Sequence, residues 1–352
     1  MRIALVMTGR GAGGLQQSVV PYAAALVAAG HDVLAIIHPD SPFGGRLRAA
    51  GAGVSLVRWP RKPQPFTWLQ AMEVRRLIGD FKADAVIGLA SKGFPQAWLG
   101  MKGQMPVLSR CGSMKAKTVS RLLEADSLIV TSNEMRDLAV SLGMPDERVF
   151  VLPNFLIGPA REHRPPPRNR LRIGSLGRMV PRKGFDLLID AAARARATGR
   201  DFDLVIAGTG ATMPALKEQA TQQGLAVEFP GWIGEDEKPA FWDDLDIFVC
   251  PSRNEPFGFI YIEAMQAGLP VVTTETVGAR FIFRPGRDCL MVPQEDAAAL
   301  ADALITLIDS PERCAALVSE ARQAFMDRFH IDAAGKTLER IITTTIGRQA
   351  QR

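Results

Sequence analysis

Short apolar runs ended by Gly or Pro alternate along this chain with longer stretches whose apolar residues recur at helical spacing. Residues 2–8 read as a strand, 9–14 as a Gly-rich turn, 15–29 as a helix stopped by Gly30, and 33–37 as a second strand. That βαβ order implies a parallel sheet. Further strands are expected at 53–57, 85–89, 107–109 and 128–131 with helices between them, and 149–154 closes this half. A polar, Pro-rich stretch at 159–167 breaks the pattern and reads as a hinge. The same rhythm then restarts. Strands are expected at 171–176, 203–207, 227–229, 247–249, 271–273 and 289–292, and helices at 186–197, 213–222, 259–267, 297–308, 311–328 and 333–346. The expected architecture is α/β, with two Rossmann-like domains built on parallel sheets: 1–157, a hinge at 158–168, 169–330, and a terminal helical segment at 331–352.

The stretch 250–272 carries the most chemistry. It runs from a strand end through a tight loop to a helix stopped by Gly268 and Pro270. Glu255 stands in the loop and Glu263 on the helix, a separation of about 12 Å at roughly 1.5 Å per helical residue. Acids so placed suit the two ends of an elongated polar ligand. A diphosphate between them would meet the N–H groups of Phe257, Gly258 and Phe259 at the helix start, where the dipole favours anions. A capping box, Ser252-x-x-Glu255, is the competing reading. Pro256 and Gly258 oppose it, because both are poor residues for a helix beginning at Ser252.

A second segment wants the same anion. In Gly177-Arg178-Met179-Val180-Pro181-Arg182-Lys183-Gly184 three cations crowd a helix N-terminus, where the macrodipole disfavours them. A diphosphate would compensate; a solvated basic loop is the alternative. Gly9, Gly11 and Gly14 formally fit the G-x-G-x-x-G dinucleotide fingerprint. The acid it needs about 20 residues on is met only later, by Asp40, so a nicotinamide-binding reading stays open.

At 352 residues the chain is long for a single core. No run approaches the roughly 20 apolar residues of a membrane span, and Met1 leads straight into a strand, so no secretory leader is expected. Cys111, Cys250, Cys289 and Cys314 are widely separated, as are the four histidines, which points to a reducing cytosol and offers no metal-ligand spacing. The net charge of +5 is uneven. Residues 1–160 hold 18 Lys and Arg against 11 acids, leaving 24 against 26 in the remainder. A basic first half suits an anionic partner or an anionic membrane surface. The Arg-, Trp- and Pro-containing stretch 58–68 reads either as an acceptor or membrane lip or as a rigid connection.

Glu255-Pro-Phe-Gly-Phe-Ile-Tyr-Ile-Glu263, followed by Ala-Met-Gln-Ala-Gly-Leu-Pro-Val-Val, resembles the Glu-x7-Glu signature of retaining glycosyltransferases of family 4, which have the GT-B fold. The resemblance implies two domains facing across a cleft, with the terminal helix returning to the first. It implies Arg178 and Lys183 on the donor diphosphate, Glu255 on donor sugar hydroxyls and Glu263 on the ribose. By position Thr209 and Ile233, with Trp232 beside it, fall near the base, and Gly13-Gly14 near the donor phosphate. It also implies no dedicated nucleophile, no cofactor and no metal, with the leaving phosphate taking the acceptor's proton.

Three positions depart from the family. Ser109-Arg110-Cys111-Gly112 lacks the His common near the reacting sugar, so Arg110 becomes the candidate acceptor contact. Val277-Gly278-Ala279-Arg280-Phe281 lacks an acid, and Phe155 replaces a Gly after Asn154. The expected donor is a UDP- or GDP-sugar and the expected acceptor a saccharide or lipid-linked glycan. Leu15-Gln16-Gln17 after Gly13-Gly14 is similar to enzymes of lipopolysaccharide cores, which places the expected work in cell-envelope glycans, in the cytoplasm or at the inner membrane surface, without nucleic acid. An NAD-type oxidoreductase, a nucleotide-sugar epimerase and a non-catalytic sugar-binding module are the alternatives.

Overall fold

The computed structural model describes residues 1–10, 17–58, 67–89, 97–98, 101, 103–162 and 170–351. The chain forms two compact units. The first comprises Met1–Gly158 with Arg328–Arg352, and the second Pro159–Asp327.

In the first unit seven parallel strands stand in the order β3-β2-β1-β4-β5-β6-β7. They are β1 (Arg2–Met7), β2 (Asp32–Ile37), β3 (Gly53–Leu56), β4 (Ala85–Leu89), β5 (Val107–Arg110), β6 (Ser127–Val130) and β7 (Val149–Val151). The central strands are apolar throughout because both faces are covered: Leu5 and Ile87 pack on one side, Ala4 and Val86 on the other. The helix Ile331–Ala350 supplies Ala334, Leu338, Ile341 and Ile342 to the first of these faces, beside the helix Val19–Ala28. Ser127, buried on β6, meets Thr345 of that terminal helix at 2.8 Å. The helix expected at 15–29 is described from Val19, and residues 11–16, which include Gly13 and Gly14, lie outside the described residues. Most of the hinge stretch, 163–169, does too.

The second unit repeats the plan with six parallel strands in the order β10-β9-β8-β11-β12-β13. These are β8 (Leu171–Leu176), β9 (Phe202–Ala207), β10 (Val227–Glu228), β11 (Ile247–Cys250), β12 (Val271–Thr274) and β13 (Leu290–Val292). The chain order reverses between β8 and β11, and ligands of open α/β sheets bind outside the carboxyl ends of strands at such a point. That adjacency brings the loops after residues 176 and 250 side by side, although about 70 residues separate them in the chain. Two helices went unread in the sequence, Lys238–Asp243 and Val277–Ile282. Each is only six residues long, too short to show a helical period.

Candidate active site

The loop leaving β8 is shaped by close backbone approach. A Cβ on Gly208 would stand 1.8 Å from the Gly177 carbonyl oxygen, and one on Gly210 would stand 2.1 Å from that of Met179. The turn 208–210 is therefore laid flat against 177–179, and Met179 N–H donates to Thr209 O at 2.9 Å. Pro181–Lys183 forms one short 3-10 turn ended by Gly184 at φ +65°. A Cβ there would meet the Pro251 carbonyl oxygen at 1.9 Å, so Gly184 seals the basic loop onto the loop after β11.

Hydrogen bonds join the same two loops. Arg253 N–H donates to Arg182 O at 2.9 Å, and Arg182 Nη1 donates to Asn254 O at 3.2 Å. The Arg253 guanidinium reaches Pro181 O at 2.8 Å, grips Asp186 with both Nη atoms at 2.8 and 2.7 Å, and also holds Glu295. Arg253 hydrogen bonds and charge hold the Asp186 carboxyl below its ordinary range.

This clamp sets Lys183 Nζ 2.5 Å from Glu255 Oε2, with both side chains only 12% exposed. Arg182 stands 4.0 Å from the same oxygen. Arg178 is exposed, and among the described residues its guanidinium has no ion-pair partner. The two sequence-predicted groups for diphosphate and sugar, Lys183 and Glu255, thus neutralise each other across the two loops. Backbone support comes from Gly278, which donates to Glu255 O at 2.8 Å; a Cβ there would meet Phe257 O at 2.4 Å.

The capping-box reading fails on geometry. The helix runs Phe259–Ala267 with Gly258 at its N-cap in the left-handed region, and no side chain caps it. Ser252 is fully buried and accepts at its carbonyl from Thr274 Oγ1 at 2.5 Å. Phe257 is buried with its ring 6.1 Å from that of Phe281, a packing role beside any that its backbone has. Tyr261 is buried beneath the site, its hydroxyl near Thr276 and Thr273, and burial pushes its pKa well up.

Glu263 accepts from Lys238 Nζ at 2.8 Å. Lys238, Arg253, Asp186 and Gly278 were not read as site residues from the sequence. Thr209 is exposed and Ile233 half-buried, and the Trp232 side chain beside it is 65% exposed. The Gly231 carbonyl accepts from Gly208 N–H at 2.6 Å, tying the loop after β10 to the turn after β9.

In the first unit Arg110 ends β5 and is 1% exposed. Its Nη2 donates to Asn154 Oδ1, and its guanidinium lies 6.0 Å from the Tyr22 ring, which stacks on Phe155. The expected acceptor contact is therefore not presented to solvent in this conformation. Asp40, the acid weighed for a dinucleotide fingerprint, faces Arg10 at 3.7 Å and His38 Nδ1 at 3.6 Å.

Two family models match the chain, one on each half: glycosyl transferase 4-like domain over residues 13–154 and glycosyl transferases group 1 over 170–310. The chain is 28% identical over 338 residues to a GDP-mannose-dependent α-(1-6)-phosphatidylinositol monomannoside mannosyltransferase of Mycolicibacterium smegmatis, covering 84% of this chain and 86% of that one. It is 26% identical to the lipopolysaccharide core biosynthesis glycosyltransferase LpsE of Rhizobium meliloti, covering 91% and 93%. Its fold is similar to that of Anabaena HepE solved with UDP and glucose, at a TM-score of 0.80, 18% identity, and coverage of 98% and 100%. These relatives are glycosyltransferases by name, which favours transfer over the oxidoreductase and epimerase alternatives.

Proposed function

From the premise that this chain belongs to the glycosyltransferases of the GT-B fold, we propose that it moves a hexosyl residue from a UDP- or GDP-sugar to a saccharide or lipid-linked acceptor, with retention at the anomeric carbon. The observation that carries this reading is the Lys183–Glu255 pair, held by adjacent loops at the switch point of the second unit. Departure of a nucleoside diphosphate builds negative charge on the bridging oxygen. In this reading Lys183, the exposed Arg178 and the start of the helix Phe259–Ala267, which no side chain caps, stabilise that charge. As the diphosphate engages Lys183, the Glu255 carboxylate is released to accept from donor sugar hydroxyls. The leaving phosphate then takes the acceptor proton.

The relatives suggest donors to try first: the Mycolicibacterium enzyme is GDP-mannose-dependent, and the Anabaena protein was solved with UDP and glucose. Both the LpsE likeness and the basic first half favour an envelope-glycan acceptor on the cytoplasmic side. A surface for a lipid-linked acceptor is offered by the helix Thr67–Phe81. Its Trp68, Leu69 and Met72 are 55%, 48% and 58% exposed, with Arg75 and Arg76 one turn on. Exposed Trp and aliphatic residues flanked by Arg suit the boundary of an anionic bilayer. Among the described residues no helix is long and apolar enough to cross a membrane.

The test is nucleoside diphosphate release from a panel of UDP-, GDP- and ADP-sugars, run with membrane-extracted or oligosaccharide acceptors, with and without a chelator. At least one UDP- or GDP-sugar is expected to be consumed, and the chelator to leave the rate within about threefold, because the protein's own cations carry the charge. Failure to bind or turn over any donor contradicts the proposal.

A further inference from the structure

The clamp on the far acid of the signature has a different source from the one on Glu255. Lys238 is the first residue of the helix Lys238–Asp243, where the macrodipole opposes a cation. Its side chain is only 16% exposed, so desolvation opposes the charge as well. Neither local helix stability nor exposure to water accounts for a lysine at this place.

Its partners do. Nζ lies 2.8 Å from Glu263 Oε1 and 2.9 Å from Glu235 Oε1, and the Glu263 side chain is itself 13% exposed. Burial depresses the lysine, yet Glu263 and Glu235 outweigh it and leave the amine more strongly protonated than a free one. Three half-buried groups therefore hold one ammonium between two carboxylates, and one of those carboxylates stands on the signature helix.

Lys238 also ends the loop that follows β10. Its N–H donates to Gly234 O at 3.0 Å, Glu237 N–H to the same oxygen at 3.1 Å, and Gly234 N–H to Glu237 Oε2 at 2.7 Å. The loop carrying Trp232 and Ile233 is thereby wound into a compact turn. The lysine side chain ties that turn to the helix Phe259–Ala267 through Glu263.

We propose that Lys238 is the positioning residue for the nucleoside end of the donor: it holds the Glu263 carboxylate fixed against the 231–237 loop, so that it accepts from both hydroxyls of an intact ribose diol. The inference rests on the reading of Glu263 as the ribose contact. An ionised carboxylate is acceptor-only, and a vicinal diol offers two donors on one side, so the pair selects ribonucleotide donors over deoxyribonucleotide ones. Lys238 acts through Glu263 and touches no reacting atom. Its loss therefore belongs in donor KM rather than in kcat.

The experiment uses the full chain and the best donor from the panel, in its ribose form and as the 2′-deoxy and 3′-deoxy analogues. Lys238→Met is expected to raise KM for the ribose donor at least tenfold with kcat within threefold, and to raise KM for either deoxy donor by a clearly smaller factor, because each keeps only one of the two hydroxyls. Lys238→Arg is expected to recover most of the loss. An equal KM penalty on ribose and deoxyribose donors, or no penalty on either, overturns the proposal. Glu263→Gln separates the layers. If it abolishes the ribose preference while Lys238→Met does not, the lysine assignment is wrong. If neither does, the placement of Glu263 on the ribose has failed, although the transferase reading stands as long as donor is turned over.

Discussion

Lys183 and Glu255 satisfy each other at 2.5 Å, which makes the carboxylate a rival of the donor diphosphate for one ammonium. The two variants should therefore part in binding. Lys183→Ala is expected to weaken nucleoside diphosphate affinity at least tenfold, about 1.4 kcal/mol. Glu255→Gln is expected to leave that affinity unchanged or to raise it severalfold, because the amine is freed, and yet to cut turnover by about 10²–10³. Isothermal titration with UDP and GDP, set beside initial rates, checks both; weaker binding in Glu255→Gln would contradict the competition. The two acids and the Arg178–Lys183 cations stood out by type and spacing, but a capping box and a solvated basic loop competed with them, and their roles came from the family resemblance. Lys238 and Arg253 did not stand out, since their meaning lies in partners 25 and 67 residues away in the chain. A lone Lys or Arg in a loop reads as a solvated charge until the strand order brings its partner beside it.

At the level of elements, the loops after β8 and β11 are fixed to one another by Gly184 and by Arg253, and Gly278, on the helix after β12, holds the second of these loops through Glu255 O. Arg253→Met removes a bidentate grip on Asp186 and the contact with Pro181 O. It is expected to destabilise the second unit by about 1–2 kcal/mol, discounted for partial exposure, and to reduce turnover by loosening Lys183. The pH dependence has a definite sign. Arg253 depresses Asp186, so the stabilisation is full above the unfolded-state value of about 3.9 and is lost as pH falls through the lower folded-state value. The difference in melting temperature between the two proteins should accordingly shrink below about pH 4; a difference that widens there would contradict the assignment. Boundaries of the long helices and of most strands followed from period and Gly stops. The helices Lys238–Asp243 and Val277–Ile282 did not, although both matter to the site, because one and a half turns give no repeat to count.

On the scale of the molecule, the first unit is closed by the end of the chain. Ala334, Leu338, Ile341 and Ile342 are at most 2% exposed in its core, and burying each of the three large ones contributes roughly 1.5–3 kcal/mol. A chain ending at residue 327 is expected to lose cooperative melting of the first unit while the second still binds nucleoside diphosphate. Two normal transitions in that truncated chain would contradict this packing. The amphipathic period of this helix was plain in the sequence, but an apolar stripe does not name its partner, and only the family resemblance returned the helix to the first unit. The central claim is that the switch-point site of the second unit ionises a nucleotide-sugar. It is tested most directly by the initial rate of nucleoside diphosphate release from UDP- and GDP-hexoses in the presence of acceptor, for the unsubstituted chain and for Lys183→Ala. The expected result is acceptor-dependent release that falls by at least two orders of magnitude in the variant with its fold intact. Equal release by both proteins, or none by either, would contradict it.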